Sequence, residues 1–143
     1  MIAIGCDHAA TALKEELKAH LQEQGIETRD FGVAAGEKAD YPPMAFEVSD
    51  AVAKGECGLG VLLCGTGVGM SIAANKVRGI RAACCSEPYS AMLSRRHNDS
   101  NVLCVGARVV GPEMAKMILD AWLAAEFEGG RHAARVDMIN NYS

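Results

Sequence analysis

Short apolar runs alternate with longer, helically spaced segments along this chain. MIAIGC (1–6), VLLC (61–64), RAACC (81–85) and VLCVGA (102–107) have the length and composition of buried strands, and the more polar ETRDF (27–31) suits a sheet edge. Between them the period changes. Leu13, Leu17 and Leu21 recur at i, i+4 and i+8, which puts them on one face of a helix that Gly25 ends. After Gly111, Pro112 suits a first helical position, and Met114, Met117, Ile118, Ala121, Trp122 and Ala125 predict one buried face, with Gly129 and Gly130 as the stop. A helix is expected after Pro88, ending at His97 and Asn98, and another starting near Gly69. The last helix, about 131–142, is short and polar, so it is expected to lean on something else.

Strand and helix in alternation predict a single α/β domain over residues 1–143. Its form is a Rossmann-like three-layer sandwich with a parallel sheet of about five strands and helices on both faces. In such folds ligands bind beyond the carboxyl ends of the strands. That rule singles out Cys6-Asp7-His8, Cys64 to Gly69, Cys85-Ser86-Glu87 and Gly106-Ala107-Arg108.

Composition narrows the partners. Half the residues are hydrophobic but only 5% are aromatic, so small aliphatic side chains and Met must fill the core. A net charge of −4 with interspersed signs offers no basic stripe for nucleic acid or anionic lipid. The opening MIAIGCDHAA has no positively charged start and meets Asp7 early, so it does not read as a secretory signal, and a cytoplasmic protein is expected. Residues 57–75 carry no charge, yet five glycines with Thr66, Ser71 and Asn75 break the run into strand, turn and helix start rather than a membrane span. The six cysteines show no zinc spacing and no disulfide framework.

The informative stretch is LLCGTGVGMSIAANK, residues 62–76. A dinucleotide fingerprint needs Gly where Met70 stands, and a nucleotide P-loop needs Gly-Lys-Ser/Thr where Met70-Ser71-Ile72 stands. A thiol phosphatase loop would want Arg at position 70, five residues beyond its cysteine. What remains is a strand tip, a small-residue turn and a helix start, a nest of main-chain N–H groups for negative charge. Cys64 stands at its mouth, where a helix N-terminus favours the thiolate; it serves either as a base or as a plain strand residue beside a tight turn. Asp7 and His8 leave the first strand at the same edge and suit hydroxyl or phosphate contact, or a helix cap and a surface His. Arg131 and Arg135 share a helix face with His132 close by, the geometry for gripping a dianion or for ordinary solvation. Arg108 could join them. His97 could move a proton near neutral pH, and His20, among Lys and Gln, reads as solvated.

Taken in order, GCDHAA, DYPPMA, CGTGVGMSIAANK, CSEPYSAMLSRRHND, GARVVG and EGGRHAARV closely resemble the ribose-5-phosphate isomerases of type B, across nearly the whole chain. The resemblance implies an aldose-ketose isomerase of the pentose phosphate pathway that interconverts ribose 5-phosphate and ribulose 5-phosphate without metal or organic cofactor. It also implies a homodimer or dimer of dimers with shared active sites, the last helix packing at the subunit interface. Cys64 would move the proton between C1 and C2, the amides of Gly65, Thr66, Gly67, Val68 and Gly69 would hold the enediolate, and Thr66 would relay a proton between the two oxygens. His97 would open the furanose ring, Asp7 and Asn98 would hold hydroxyls, and Tyr41 would line the pocket. His8, Arg108, Arg131 and Arg135 would bind the phosphate, some of them from the partner subunit. Some relatives carry Glu at the position of Met70 as the base; this chain has Cys64 and Met70 and sorts with the thiol users. A hexose 6-phosphate such as allose 6-phosphate or galactose 6-phosphate is the alternative substrate, and a non-catalytic sugar-phosphate sensor the alternative class.

Overall fold

The computed structural model describes residues 1–142. Five strands, β1 (Ile2–Cys6), β2 (Thr28–Asp30), β3 (Leu59–Cys64), β4 (Ala82–Cys84) and β5 (Val102–Gly106), form one parallel sheet in the order β2-β1-β3-β5-β4. The expected α/β sandwich and its five strands are therefore present. ETRDF lies at an edge as its polarity predicted. RAACC is a strand but not the buried one expected: β4 is the other edge, and its residues are partly covered or exposed.

Six helices flank the sheet: α1 (Thr11–Glu23), α2 (Tyr41–Ala53), α3 (Val68–Ala74), α4 (Pro88–Asn98), α5 (Pro112–Ala124) and α6 (Arg131–Asn141). One face of the sheet is covered by Leu13, Leu17 and Leu21 of α1 and Ile118, Leu119 and Trp122 of α5, packed on Ile4, Leu63 and Leu103. The other is covered by Met44, Ala45 and Val48 of α2 and Met70 and Ala73 of α3, packed on Ala3, Leu62 and Cys104. Sequence pattern alone did not mark α2, whose start rests on Pro42 and Pro43 after an extended Asp40.

Three expectations need correction. Met114 and Met117 are 39% and 58% exposed, and the buried stripe of α5 is Ala115, Ile118, Leu119 and Trp122, one position round the helix. That helix ends at Ala124, not at Gly129, because Ala125 turns extended and Glu128 N–H donates to Arg96 O at 2.9 Å. His20 is not merely solvated: its Nε2 lies 2.7 Å from Asp120 Oδ1 and ties α1 to α5. Among the described residues no helix is long and apolar enough to cross a membrane.

Candidate active site

The strand order reverses between β1 and β3, so their carboxyl ends flank the crevice where this class of sheet takes its ligands. Asp7 leaves β1 there. Its N–H continues the ladder to Leu63 O at 3.1 Å, and its Oδ1 accepts from Ala9 N–H at 2.9 Å. The carboxylate thus shapes the turn ahead of α1 and does not cap that helix, whose N-cap is Ala10. His8 is exposed and donates from Nδ1 to Ala39 O at 3.2 Å.

Across the crevice, β3 ends at Cys64 and the chain turns through Gly65, Thr66 and Gly67 into α3. Gly67 has φ of +82°, and a β-carbon on it would lie 3.0 Å from both Cys84 Sγ and the Val105 carbonyl carbon, so any side chain there is both strained and crowded. The turn presses on its neighbours. A β-carbon at Gly106 would fall 2.6 Å from the Thr66 main chain, and one at Gly69 would fall 2.7 Å from the Tyr41 ring. Ala107 N–H donates to Cys64 O at 2.8 Å and Arg108 N–H to Gly65 O at 3.0 Å, which brings the Arg108 guanidinium beside Gly65.

The consequence for Cys64 is specific: Gly67 N–H donates to its sulfur at 3.1 Å. A main-chain donor aimed at sulfur stabilises negative charge there. Val68 N–H turns onto Thr66 Oγ1 at 3.2 Å, so two of the five amides of the nest are engaged within the loop itself. Burial pushes the thiols of Cys6, Cys84 and Cys104 up, and that of Cys85 up to about 11, which keeps these four protonated at neutral pH. Sequence reasoning missed the place of Cys84, whose Sγ lies under the turn 3.6 Å from Thr66 O; it also had no signal for Tyr41 resting on Gly69.

The remaining expected residues stand elsewhere. α4 runs back from the end of β4, so His97 and Asn98 come just before the first residue of β5, whereas Cys64 pairs with Gly106 at its last. The length of β5 alone separates the two ends by about 13 Å. A single chain does not bring His97, Asn98, Arg131 and Arg135 to Cys64. They gather instead at the end of α4: the His97 and His132 rings stack at 4.2 Å with 11° between planes, and Glu128 Oε1 lies 3.7 Å and 3.8 Å from their Nε2 atoms. Arg131 and Arg135 are exposed on α6. The three ligand-type atoms of His97, Glu128 and His132 lie within 4.8 Å of one another. Arg131 and Arg135 bring positive charge to His132, which disfavours a dication at this cluster.

A small-residue turn with a thiol at its mouth, at the switch point of a parallel sheet, stands where an α/β enzyme domain takes its ligand. The comparisons narrow the class. The sequence profile of the family described as Ribose/Galactose Isomerase matches residues 2–139, and the chain belongs to that family of isomerases. It is 62% identical over 138 residues to ribose-5-phosphate isomerase B of Escherichia coli (strain K12), covering 96% of this chain and 93% of that one. It is 49% identical to D-erythrulose-4-phosphate isomerase of Pectobacterium atrosepticum, covering 99% of this chain and 93% of that one. A ribose 5-phosphate isomerase structure from Thermotoga maritima superposes with a TM-score of 0.96 at 48% identity, covering 99% of this chain and 97% of that one.

Proposed function

We propose that the chain interconverts D-ribose 5-phosphate and D-ribulose 5-phosphate through an enediolate, with Cys64 as the base. The observation that carries this reading is the Gly67 N–H on Cys64 Sγ, beside Arg108 and across the crevice from Asp7. The thiolate removes the C2 proton of the open-chain aldose and returns it to C1. Charge left on the two oxygens meets the nest between Gly65 and Gly69, and Thr66 passes a proton from one oxygen to the other. Asp7 holds a hydroxyl and Tyr41 walls the pocket, while His8 and Arg108 receive the phosphate. No metal or organic cofactor enters these steps.

The reading requires a second copy of this chain. His97 donates the proton that opens the furanose ring, Asn98 holds a hydroxyl, and Arg131 and Arg135 complete the phosphate grip, all from the partner. An unpartnered apolar strip beside the nest supports this: Tyr41, Phe46, Val68 and Ile72 on the α2–α3 layer are 41%, 40%, 50% and 63% exposed. Apolar area of this kind, continuous with a half-built site, is what a symmetric interface covers. A sugar phosphate of central metabolism also accords with a cytoplasmic enzyme.

Substrate length is the open term, since the relatives include an enzyme named for a four-carbon sugar phosphate. Measuring kcat/KM for ribose 5-phosphate against D-erythrulose 4-phosphate, allose 6-phosphate and galactose 6-phosphate tests it. Ribose 5-phosphate is expected to lead by at least about tenfold, the discrimination a well-fitted pocket gives for one carbon unit. A leading tetrose or hexose phosphate overturns the assignment, and absence of turnover on all four would make the protein a sensor.

A further inference from the structure

His97 does not stand alone at the end of α4. Its ring lies flat against that of His132, which is buried, and Glu128 reaches both Nε2 atoms. The contact needs three segments brought together: the last turn of α4, the irregular 125–129 stretch, and the first turn of α6. The early end of α5 makes this possible, because Glu128 N–H on Arg96 O pins that stretch across α4. Beneath it, Trp122 Nε1–H donates to Ser100 Oγ at 2.9 Å and Ser100 pairs with Ser94 Oγ at 2.8 Å, fixing the helix end that carries His97.

The charges facing the pair are few. On α4, Arg95 is turned onto Asp99 and the Ser100 carbonyl, and Arg96 neighbours His97. Asp99 is taken by Arg95 and Arg81. On α5, Lys116 and Asp120 are turned toward α1, onto Glu16 and His20. From α6 come Arg131 and Arg135. Among the described residues Glu128 is the one carboxylate within ion-pair reach of the two rings. Burial first, then His97 and the α6 arginines, push the His132 imidazole below its usual range.

We propose that His132 and Glu128 are positioning residues for His97: the His132 ring fixes the plane of the His97 imidazole, and the Glu128 carboxylate balances the proton that His97 hands to the sugar. This deepens, and rests on, the reading of His97 as the ring-opening acid. In that step the C1–O4 bond of the furanose breaks and its electron pair stays on O4, which takes the proton from His97. The C1 hydroxyl releases its proton to solvent water as the carbonyl forms, and His97 is recharged from solvent. A tilted or uncharged His97 slows the step without weakening the grip on phosphate.

The test is steady-state kinetics of the full-length protein on ribose 5-phosphate across pH. His132→Ala is expected to lower kcat roughly ten- to a hundredfold, the range for a misplaced catalytic group, with KM nearly unchanged. His132→Phe, which keeps a flat ring, is expected to restore most of kcat. Glu128→Gln is expected to move the alkaline limb of the kcat profile down by about half to one pH unit, because removing an anion makes the protonated imidazole easier to discharge. Glu128 is half exposed, so this arm stands even where His132→Ala does not fold. Unchanged kcat in His132→Ala, a rise in KM alone, or an unmoved alkaline limb in Glu128→Gln each overturns the positioning role. His97→Asn separates the two layers: retained turnover there removes the acid and this inference with it. An inactive His97→Asn beside an unchanged His132→Ala rejects the positioning role alone.

Discussion

The two ends of the sheet are built by different means. At the carboxyl end, Cys64 is held by the backbone: a glycine at positive φ, a turn pressed onto Gly106, and main-chain hydrogen bonds from β5 into the loop. Every group there is set by the chain that carries it. At the far end, His97, Asn98, Arg131 and Arg135 are side chains on helix surfaces, partly or fully exposed, and α6 touches the body mainly through α4. On the reading proposed above, the first region is a finished half-site and the second awaits its counterpart on a partner chain. Rigid main-chain donors suit stabilising charge that appears only during reaction, whereas long cationic side chains suit reaching across to a phosphate that another surface presents.

The largest expected effect breaks the finished half. Cys64→Ala should remove turnover by about 10²- to 10⁴-fold while leaving sugar-phosphate binding, read by calorimetry, in place. Undiminished turnover would end the thiol-base reading. Mixed dimers give the next effect: Cys64→Ala and His97→Asn chains, each expected to be inactive alone, are co-expressed and assayed together. If one site draws on both ends from different chains, mixed dimers regain one intact site each, or about a quarter of parental activity for random pairing. No recovery would return both ends to a single chain, against the geometry of β5.

Smaller effects follow. Arg135→Ala should raise KM for ribose 5-phosphate roughly tenfold or more with kcat little changed, since a phosphate grip contributes to binding before and during reaction alike; a fall in kcat with constant KM would assign it another role. The least effect concerns stability on the finished side. Buried Lys14 donates to both Asp30 oxygens at 3.0 and 2.9 Å and to Val33 O at 3.0 Å, which ties the end of β2 and the segment after it to α1. Burial pushes the Asp30 carboxyl up, but hydrogen bonds from Lys18, Lys14 and Gly32 N–H prevail and hold it below the usual range. A lowered folded value means that this stability is present above the ordinary carboxylate pKa of about 3.9 and is lost as pH falls toward the folded one. Thermal melts should show that loss in the parent and not in Asp30→Asn, which should melt lower by on the order of 3 °C near neutral pH.

Much of the carboxyl edge was legible in the chain. Apolar runs of four to six residues gave four of the five strands, and the alternating glycines after Cys64 gave the turn into α3, because those features are local in sequence. α2 was not legible, since its start depends on two prolines and its buried face on Met44 and Val48 meeting a sheet that periodicity does not announce. The face of α5 was misjudged for a related reason: Met and Ala both read as apolar, and only packing against α1 and α4 decides which of Met114 and Ala115 turns inward.

The chain's local pattern was enough for the order of the strands, the small-residue turn after Cys64 and the family, because strand length, glycine spacing and residue type are properties of neighbouring positions. It took the tertiary structure to show that Glu128 and His132 meet His97, and that His97 lies a strand's length from Cys64. Those facts depend on which way α4 runs across the sheet and where α5 breaks, and contacts between residues 30 or more positions apart are fixed by packing rather than by any local pattern.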